Sequence, residues 1–132
     1  MQFRIHRFIY MLEQIMCDER ILRPWGEFKI VETTHFFQTK IITLKPGKRL
    51  SLQSHEHRDE HWIVVSGLGT VQINDVIYPA QANSTFFVPR NNMHRLTNTG
   101  TTDLVVVEVQ TGDYFGEDDI ERIEDDFGRV AG

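Results

Sequence analysis

The 132-residue chain is the size of one domain, and its 40% apolar and 25% charged residues are those of an ordinary globular protein with a single core. No apolar run approaches the length a membrane-spanning helix needs, and a formal charge of −5 without any basic run argues against both membrane and nucleic acid as partners. The single cysteine, Cys17, cannot form an internal disulfide, and Glu13 and Gln14 interrupt the apolar stretch a signal peptide would need, so a cytoplasmic protein is expected.

Residues 1–20 read as helical. Ile5, Phe8, Ile9, Leu12, Ile15 and Met16 follow the i, i+3, i+4, i+7 spacing of one helix face. Residues 1–22 are therefore expected to form an N-terminal helical arm, laid on a partner subunit or on its own domain, and residues 23–132 the domain proper. The apolar stripe of the arm favours a homodimer. Met11 is an alternative start of translation.

From Arg23 the pattern changes. Segments 28–32, 36–44, 61–66, 70–73, 76–78, 85–88 and 104–109 are short and rich in β-branched and aromatic residues, with turn signals between them. Pro46-Gly47 suits a type II turn, Ser66-Gly67-Leu68-Gly69 and Asn98-Thr99-Gly100-Thr101 suit loops, and Asn74-Asp75 a two-residue hairpin turn. Seven such segments in one domain predict an all-β sandwich or barrel. At the end, Glu117, Asp118 and Asp119 suit a helix N-terminus, Ile120, Ile123 and Phe127 share a helical face, and Gly128 can end it. This predicts a short C-terminal helix, its acidic residues facing solvent. The charge is uneven: residues 1–50 hold nine Lys/Arg against five Asp/Glu, residues 111–132 two against eight.

The chemistry concentrates in Gln53-Ser54-His55-Glu56-His57-Arg58-Asp59-Glu60-His61-Trp62. In a strand, residues 53, 55 and 57 point to one side, so Gln53 and His55 can present an oxygen and an imidazole to one point. Glu60 has the opposite parity and joins them only if the chain bends between 57 and 60. His94, after Pro89-Arg90-Asn91-Asn92-Met93, joins them only if the fold carries it across. Two oxygens and two nitrogens suit Zn²⁺, Mn²⁺, Co²⁺, Ni²⁺ or Fe²⁺, and the donor set does not choose among them. Trp25 and Trp62 are read as core, and His61 as facing away from Trp62.

The spacing of these residues resembles the two motifs of the cupin superfamily. Gly47, five residues, Gln53-x-His55, four residues, Glu60, six residues, Gly67 follows the first, with Gln in the first histidine slot. Asn83, five residues, Pro89-x-Asn91, two residues, His94, three residues, Asn98 follows the second, with Asn at both glycine positions. Asn tolerates left-handed backbone better than most residues, so this departure is mild. Arg23-Pro24-Trp25-Gly26, the run from Leu50 to Trp62 and Gly116-Glu117-Asp118-Asp119-Ile120 further resemble the type II phosphomannose isomerase domain, the C-terminal part of bifunctional mannose-6-phosphate isomerase/mannose-1-phosphate guanylyltransferases. The likeness covers residues 23–129, and no nucleotide-binding glycine-rich loop precedes Arg23.

The resemblance implies a cupin-type double-stranded β-helix (a jelly-roll barrel) holding one divalent metal ion through Gln53, His55, Glu60 and His94. It further implies an aldose–ketose isomerase that interconverts mannose 6-phosphate and fructose 6-phosphate through a cis-enediol. Arg58 and His57 are then the catalytic candidates, with Glu56 a second candidate base. Arg49, Lys40 and Arg95 are candidates for the substrate phosphate. The alternatives are a non-catalytic metal-stabilised cupin that binds a sugar phosphate or sugar nucleotide, and another metal cupin enzyme such as a dioxygenase or epimerase.

Overall fold

The computed structural model describes residues 19–130. Its strands are β1 (Arg20–Arg23), β2 (Gly26–Thr33), β3 (Phe37–Leu44), β4 (Leu52–Ser54), β5 (Arg58–Ser66), β6 (Gly69–Ile73), β7 (Val76–Ala80), β8 (Thr85–Val88), β9 (His94–Asn98), β10 (Leu104–Gly112) and β11 (Glu121–Glu124). They form two antiparallel sheets, one in the order β1-β2-β3-β10-β5-β8 and the other β11-β4-β9-β6-β7. From β3 onward the chain crosses repeatedly from one sheet to the other, the all-β jelly-roll the sequence predicts. Among the described residues no helix is long and apolar enough to cross a membrane.

The seven β-rich segments become β2, β3, β5, β6, β7, β8 and β10. The turn chemistry also holds. Gly47 takes φ 74° behind Pro46, and the Lys48 N–H closes the turn on the Lys45 carbonyl at 3.1 Å. Asn83 and Asn91, in the glycine slots of the second motif, take φ 73° and 65°, and Asn74 takes φ 52° at the β6–β7 hairpin.

Two expectations need correction. The helical arm falls mostly on residues 1–18, outside the described residues. Its last residues, 20–22, are strand, paired with β2 from Arg20↔Lys29 to Arg23↔Gly26. The expected C-terminal helix is also strand: β11 pairs with β4. Burial alternates over residues 120–123. Ile120 and Arg122 are half-buried, whereas Glu121 and Ile123 are exposed, so the apolar positions that suit a helical face do not share one. After β11, the Asp125 carboxylate accepts the backbone N–H of Phe127 and of Arg129 and forks to the Arg129 guanidinium, which makes a tight turn and holds the Asp125 carboxyl down to about 2.

The barrel interior is layered. On β3, β5 and β10 alternate residues face inward, and cross-strand register stacks them in rows. Leu44 opposes Leu104, and Val106 opposes Ile42 and Val64. In the next row Glu108 opposes Lys40 and Trp62, and then Gln110 opposes Gln38 and Glu60. One end of the barrel is thus an apolar core, completed by Val71 and Leu96. The other end is lined with buried polar groups.

The C-terminal segment is tied to this barrel by Arg95. Its Nε donates to the Leu50 carbonyl (3.0 Å), Nη1 to the Glu124 carboxylate (3.0 Å) and Nη2 to the Glu124 carbonyl (3.3 Å). Arg95→Ala strands a buried carbonyl, so the domain should lose about 1–3 kcal/mol in urea unfolding. Amide exchange at residues 121–124 should quicken while β10 stays protected. Unchanged protection at 121–124 would refute the tie.

Candidate metal centre

His55, Glu60 and His94 come together at the polar end of the barrel, with one potential ligand atom from each within 4.8 Å of the others and all three residues buried. They arrive from different elements. His55 follows β4, where the chain leaves one sheet for the other. Asp119 makes that bend: its two carboxylate oxygens accept the N–H groups of Glu56 and His57, each at 3.0 Å, and its carbonyl accepts a hydrogen bond from His55 Nδ1 at 2.6 Å. His94 opens β9 behind the left-handed turn at Asn91, and its Nδ1 donates to the Asn92 carbonyl at 3.0 Å. Glu60 points in from β5. The chain does bend before Glu60, but at Glu56 and His57, ahead of β5, and not between residues 57 and 60 as the parity argument expected.

Both Nδ1 atoms face carbonyl oxygens, which only accept, so each Nδ1 carries the proton and each Nε2 of a neutral ring presents a lone pair. Those lone pairs converge with the Glu60 carboxylate: His55 Nε2 lies 3.1 Å from Oε1 and His94 Nε2 3.6 Å from Oε2. His94 Nε2 is buried with no hydrogen-bond partner. Burial lowers the His94 pKa, against the pull of Glu60, so the ring is neutral. Burial alone would raise the Glu60 carboxyl, but the opposing charges around it, Arg58 among them, hold the group well below the usual carboxylate range. Electron-pair donors gathered this closely repel one another unless a cation sits among them. The arrangement fits a divalent ion held by His55, Glu60 and His94. Gln53 stands opposite His94 in the β4–β9 pairing and lines the same cavity.

That cavity, about 150 Å³, is also walled by Lys40, Arg58, Trp62, Glu108, Ile120 and Arg122. Arg58 is buried beside His55 and Glu60. Its Nε donates to Glu60 (3.2 Å), Nη1 to the Gly116 carbonyl (3.3 Å), and Nη2 lies 3.3 Å from His55 Nε2. Trp62, core as expected, donates its indole N–H to Glu60 at 2.9 Å. Lys40 stands in the wall, paired with Glu117 and 4.7 Å from the centre of the Phe28 ring.

Other predicted residues lie elsewhere. His57 and Glu56 are exposed and line a separate hollow beside Tyr114 and Asp118. The strand parity that would put His57 beside His55 is broken by the Asp119-held bend. Arg49 forks to Asp126 at 2.7 and 2.8 Å, and Arg95 ties down Glu124, so neither cation lines the cavity. His61 faces outward against Phe87, with ring centres 4.8 Å apart.

Two wall residues escaped the sequence reading. Arg122 is half-buried, and its Nε has no hydrogen-bond partner. Its pKa is lowered, first by desolvation and then by Arg129. Glu108 is buried, and desolvation, reinforced by the charge of Glu60, pushes its carboxyl up to about 8. Strand alternation on β10 was the available signal for Glu108: a carboxylate at an inward position two residues beyond Val106.

Comparison with known proteins agrees with this architecture. Residues 12–125 match the family described as mannose-6-phosphate isomerase C-terminal. The alginate biosynthesis protein AlgA of Pseudomonas aeruginosa is 50% identical over 111 residues, which cover 84% of this chain and 23% of that protein. The mannose-1-phosphate guanylyltransferase RfbM of Salmonella typhimurium is 41% identical, over 80% of this chain and 22% of its own length. The chain thus spans less than a quarter of these curated relatives. Among solved structures, a conserved protein with a double-stranded β-helix domain from Klebsiella pneumoniae superposes with a TM-score of 0.66 at 19% identity, covering 80% of this chain and 85% of that one, which is a likeness of fold. On the family match and the identity to AlgA together, this chain belongs to the mannose-6-phosphate isomerase C-terminal family, built on a cupin-type double-stranded β-helix.

Proposed function

We propose that this domain is a metal-dependent aldose–ketose isomerase that interconverts mannose 6-phosphate and fructose 6-phosphate. The observation that carries the reading is the bare, buried Nε2 of His94, aimed with His55 and Glu60 at one point in the wall of a cavity. Family membership supplies the sugar phosphate. A divalent ion held by His55, Glu60 and His94, with Gln53 beside them, would act as a Lewis acid toward a sugar carbonyl. The chain's own groups do the rest. The Nδ1 bonds to the Asp119 and Asn92 carbonyls fix both rings, and Arg58 with Trp62 fixes the Glu60 carboxylate.

The phosphate is assigned to Arg122 in place of Arg49 and Arg95. The Arg122 guanidinium has a buried, unpartnered N–H, and desolvation and then Arg129 depress its pKa more than Asp125 and Glu117 raise it, so an anion at that N–H would relieve it. A phosphate supplies that anion in bidentate geometry. Lys40 stands in the same wall.

The direct test is fructose 6-phosphate formation from mannose 6-phosphate by the metal-loaded protein, across several divalent ions. No turnover with any of them sinks the isomerase reading. If the sugar phosphate still binds, the domain is a binding module instead.

His94→Ala should leave less than stoichiometric metal after gel filtration, by elemental analysis. A full retained equivalent would remove His94 from the ligand set. Metal at about a hundred times its Kd should stabilise the wild type by about 2.7 kcal/mol and His94→Ala far less, which thermal unfolding would measure. Arg122→Met should raise KM by about 10- to 100-fold, the loss of a charged hydrogen bond, with a smaller change in kcat. An unchanged KM would return the phosphate to other cations.

A further inference from the structure

The isomerisation needs a group that carries a proton between C2 and C1, and both sequence candidates, His57 and Glu56, lie outside the cavity. Three carboxyls line that cavity: Glu60, Glu108 and Glu117. Glu60 already accepts from Arg58 and Trp62 and belongs to the candidate metal set with His55 and His94. The Glu117 side chain is 55% exposed and paired with Lys40. Glu108 remains, buried to 4% exposure in the central strand β10, between Lys40 on β3 and Trp62 on β5.

Its orientation is imposed from behind. The Thr33 hydroxyl donates to Gln38 Oε1 at 2.8 Å, which sets the Gln38 amide so that its Nε2 donates to Gln110 Oε1 at 3.2 Å. The Gln110 amide is thereby set in turn, and its Nε2 donates to Glu108 Oε1. Every donor in this chain of side chains points toward Glu108. One carboxyl oxygen is held as an acceptor, and Oε2 is the oxygen left for a proton. A buried glutamate kept for packing alone needs no such relay, because glutamine would fill the same space and keep the same bond.

We propose that Glu108 is the proton-transfer residue of the sugar-phosphate isomerisation, a role that rests on the isomerase reading above. Its carboxylate takes the proton from C2 of the open-chain aldose. The C2–H electron pair becomes the C1=C2 double bond, and the carbonyl π pair moves onto O1. The O2 proton passes to O1. The enediolate then collapses, with a C2=O2 carbonyl forming as Glu108 returns its proton to C1. No oxidant, reductant or leaving group is involved. The surroundings of Glu108 suit this role. Burial keeps the acid from ionising fully, while Lys40 and Arg58 keep it from staying locked in its neutral form.

The experiment compares the metal-loaded full chain with Glu108→Gln, which preserves size and the bond from Gln110. Four quantities are read: kcat and KM for mannose 6-phosphate, deuterium incorporation at C2 in heavy water by NMR, metal content, and calorimetric binding of mannose 6-phosphate. The expected result is a kcat lower by about 10²- to 10⁴-fold and exchange lost in step. Metal content, sugar-phosphate binding and KM should be nearly unchanged. If Glu108→Gln keeps wild-type kcat and exchange, the assignment fails while the isomerase reading stands. If the wild type shows neither turnover nor exchange, the isomerase reading fails and takes this assignment with it. Should Glu108→Gln lose its metal, Glu108→Asp decides, since it keeps the charge and withdraws the carboxyl by one methylene. A large fall in kcat with metal retained supports the role, and an unchanged kcat refutes it.

Discussion

A carboxylate buried in a barrel is tolerable only if its charge is met on every side, because desolvation costs several kcal/mol per ion. Glu60 is 2% exposed, and the polar end of this domain is organised around it. Arg58 and the Trp62 indole donate to its two oxygens, and a cation held with the two imidazole Nε2 atoms would meet the remaining charge. Removing one partner of such a group costs about 3–5 kcal/mol, so the site and the stability of that end of the fold are one electrostatic arrangement. The same burial keeps His94 neutral and its Nε2 lone pair free, which is the condition a metal ligand needs.

The two buried carboxyls of this end show how strand register sets chemistry. Glu60 and Glu108 stand on adjacent strands, one row apart. Glu60 has a buried arginine donating to it and is held well below the usual carboxylate range. Glu108 is driven up to about 8 by desolvation and then by the negative Glu60, which Lys40, Arg58 and the Gln110 amide offset only in part. Pairs of titratable groups pushed apart in this way are how one pocket provides a fixed anion and a movable proton at one pH.

The legible part of the sequence was the apolar half of the barrel. β3, β5 and β10 announce themselves through Ile41, Ile42, Ile63, Val64, Val105 and Val106, because short runs of β-branched residues bounded by turn signals read as strands. β4 and β9 were missed as strands, and they are the strands beside or beneath the ligands. Gln53 and His94 face the interior there, so the inward positions are polar and the alternation is lost. Motif spacing nevertheless picked out His55, Glu60 and His94, which the fold gathers, since it depends on chain length around the barrel rather than on periodicity. It failed at His57, where strand parity was carried across a bend. Nothing local marks that bend: it is made by Asp119, more than sixty residues away. Arg122 was missed for a related reason. On a helical wheel it falls outside the stripe of Ile120, Ile123 and Phe127, whereas on a strand it shares the inner side with Ile120.

The uneven charge of the chain acquires a physical role in the same segment. The acidic tail does not simply face water. Glu117 pairs with Lys40, Glu124 with Arg95 and Asp126 with Arg49, each joining the tail to a cation of the barrel. The exposed Arg49 pair contributes little alone. Arg95, however, is buried and also satisfies the Leu50 and Glu124 carbonyls, so its contribution survives solvent screening. The docked segment then supplies Ile120 and Arg122 to the cavity wall and the Asp119 clamp on the His55 bend. The acidic residues therefore reach the site indirectly, by seating the strand that carries Arg122. That explains why two cations expected at the substrate, Arg49 and Arg95, are found holding the wall instead.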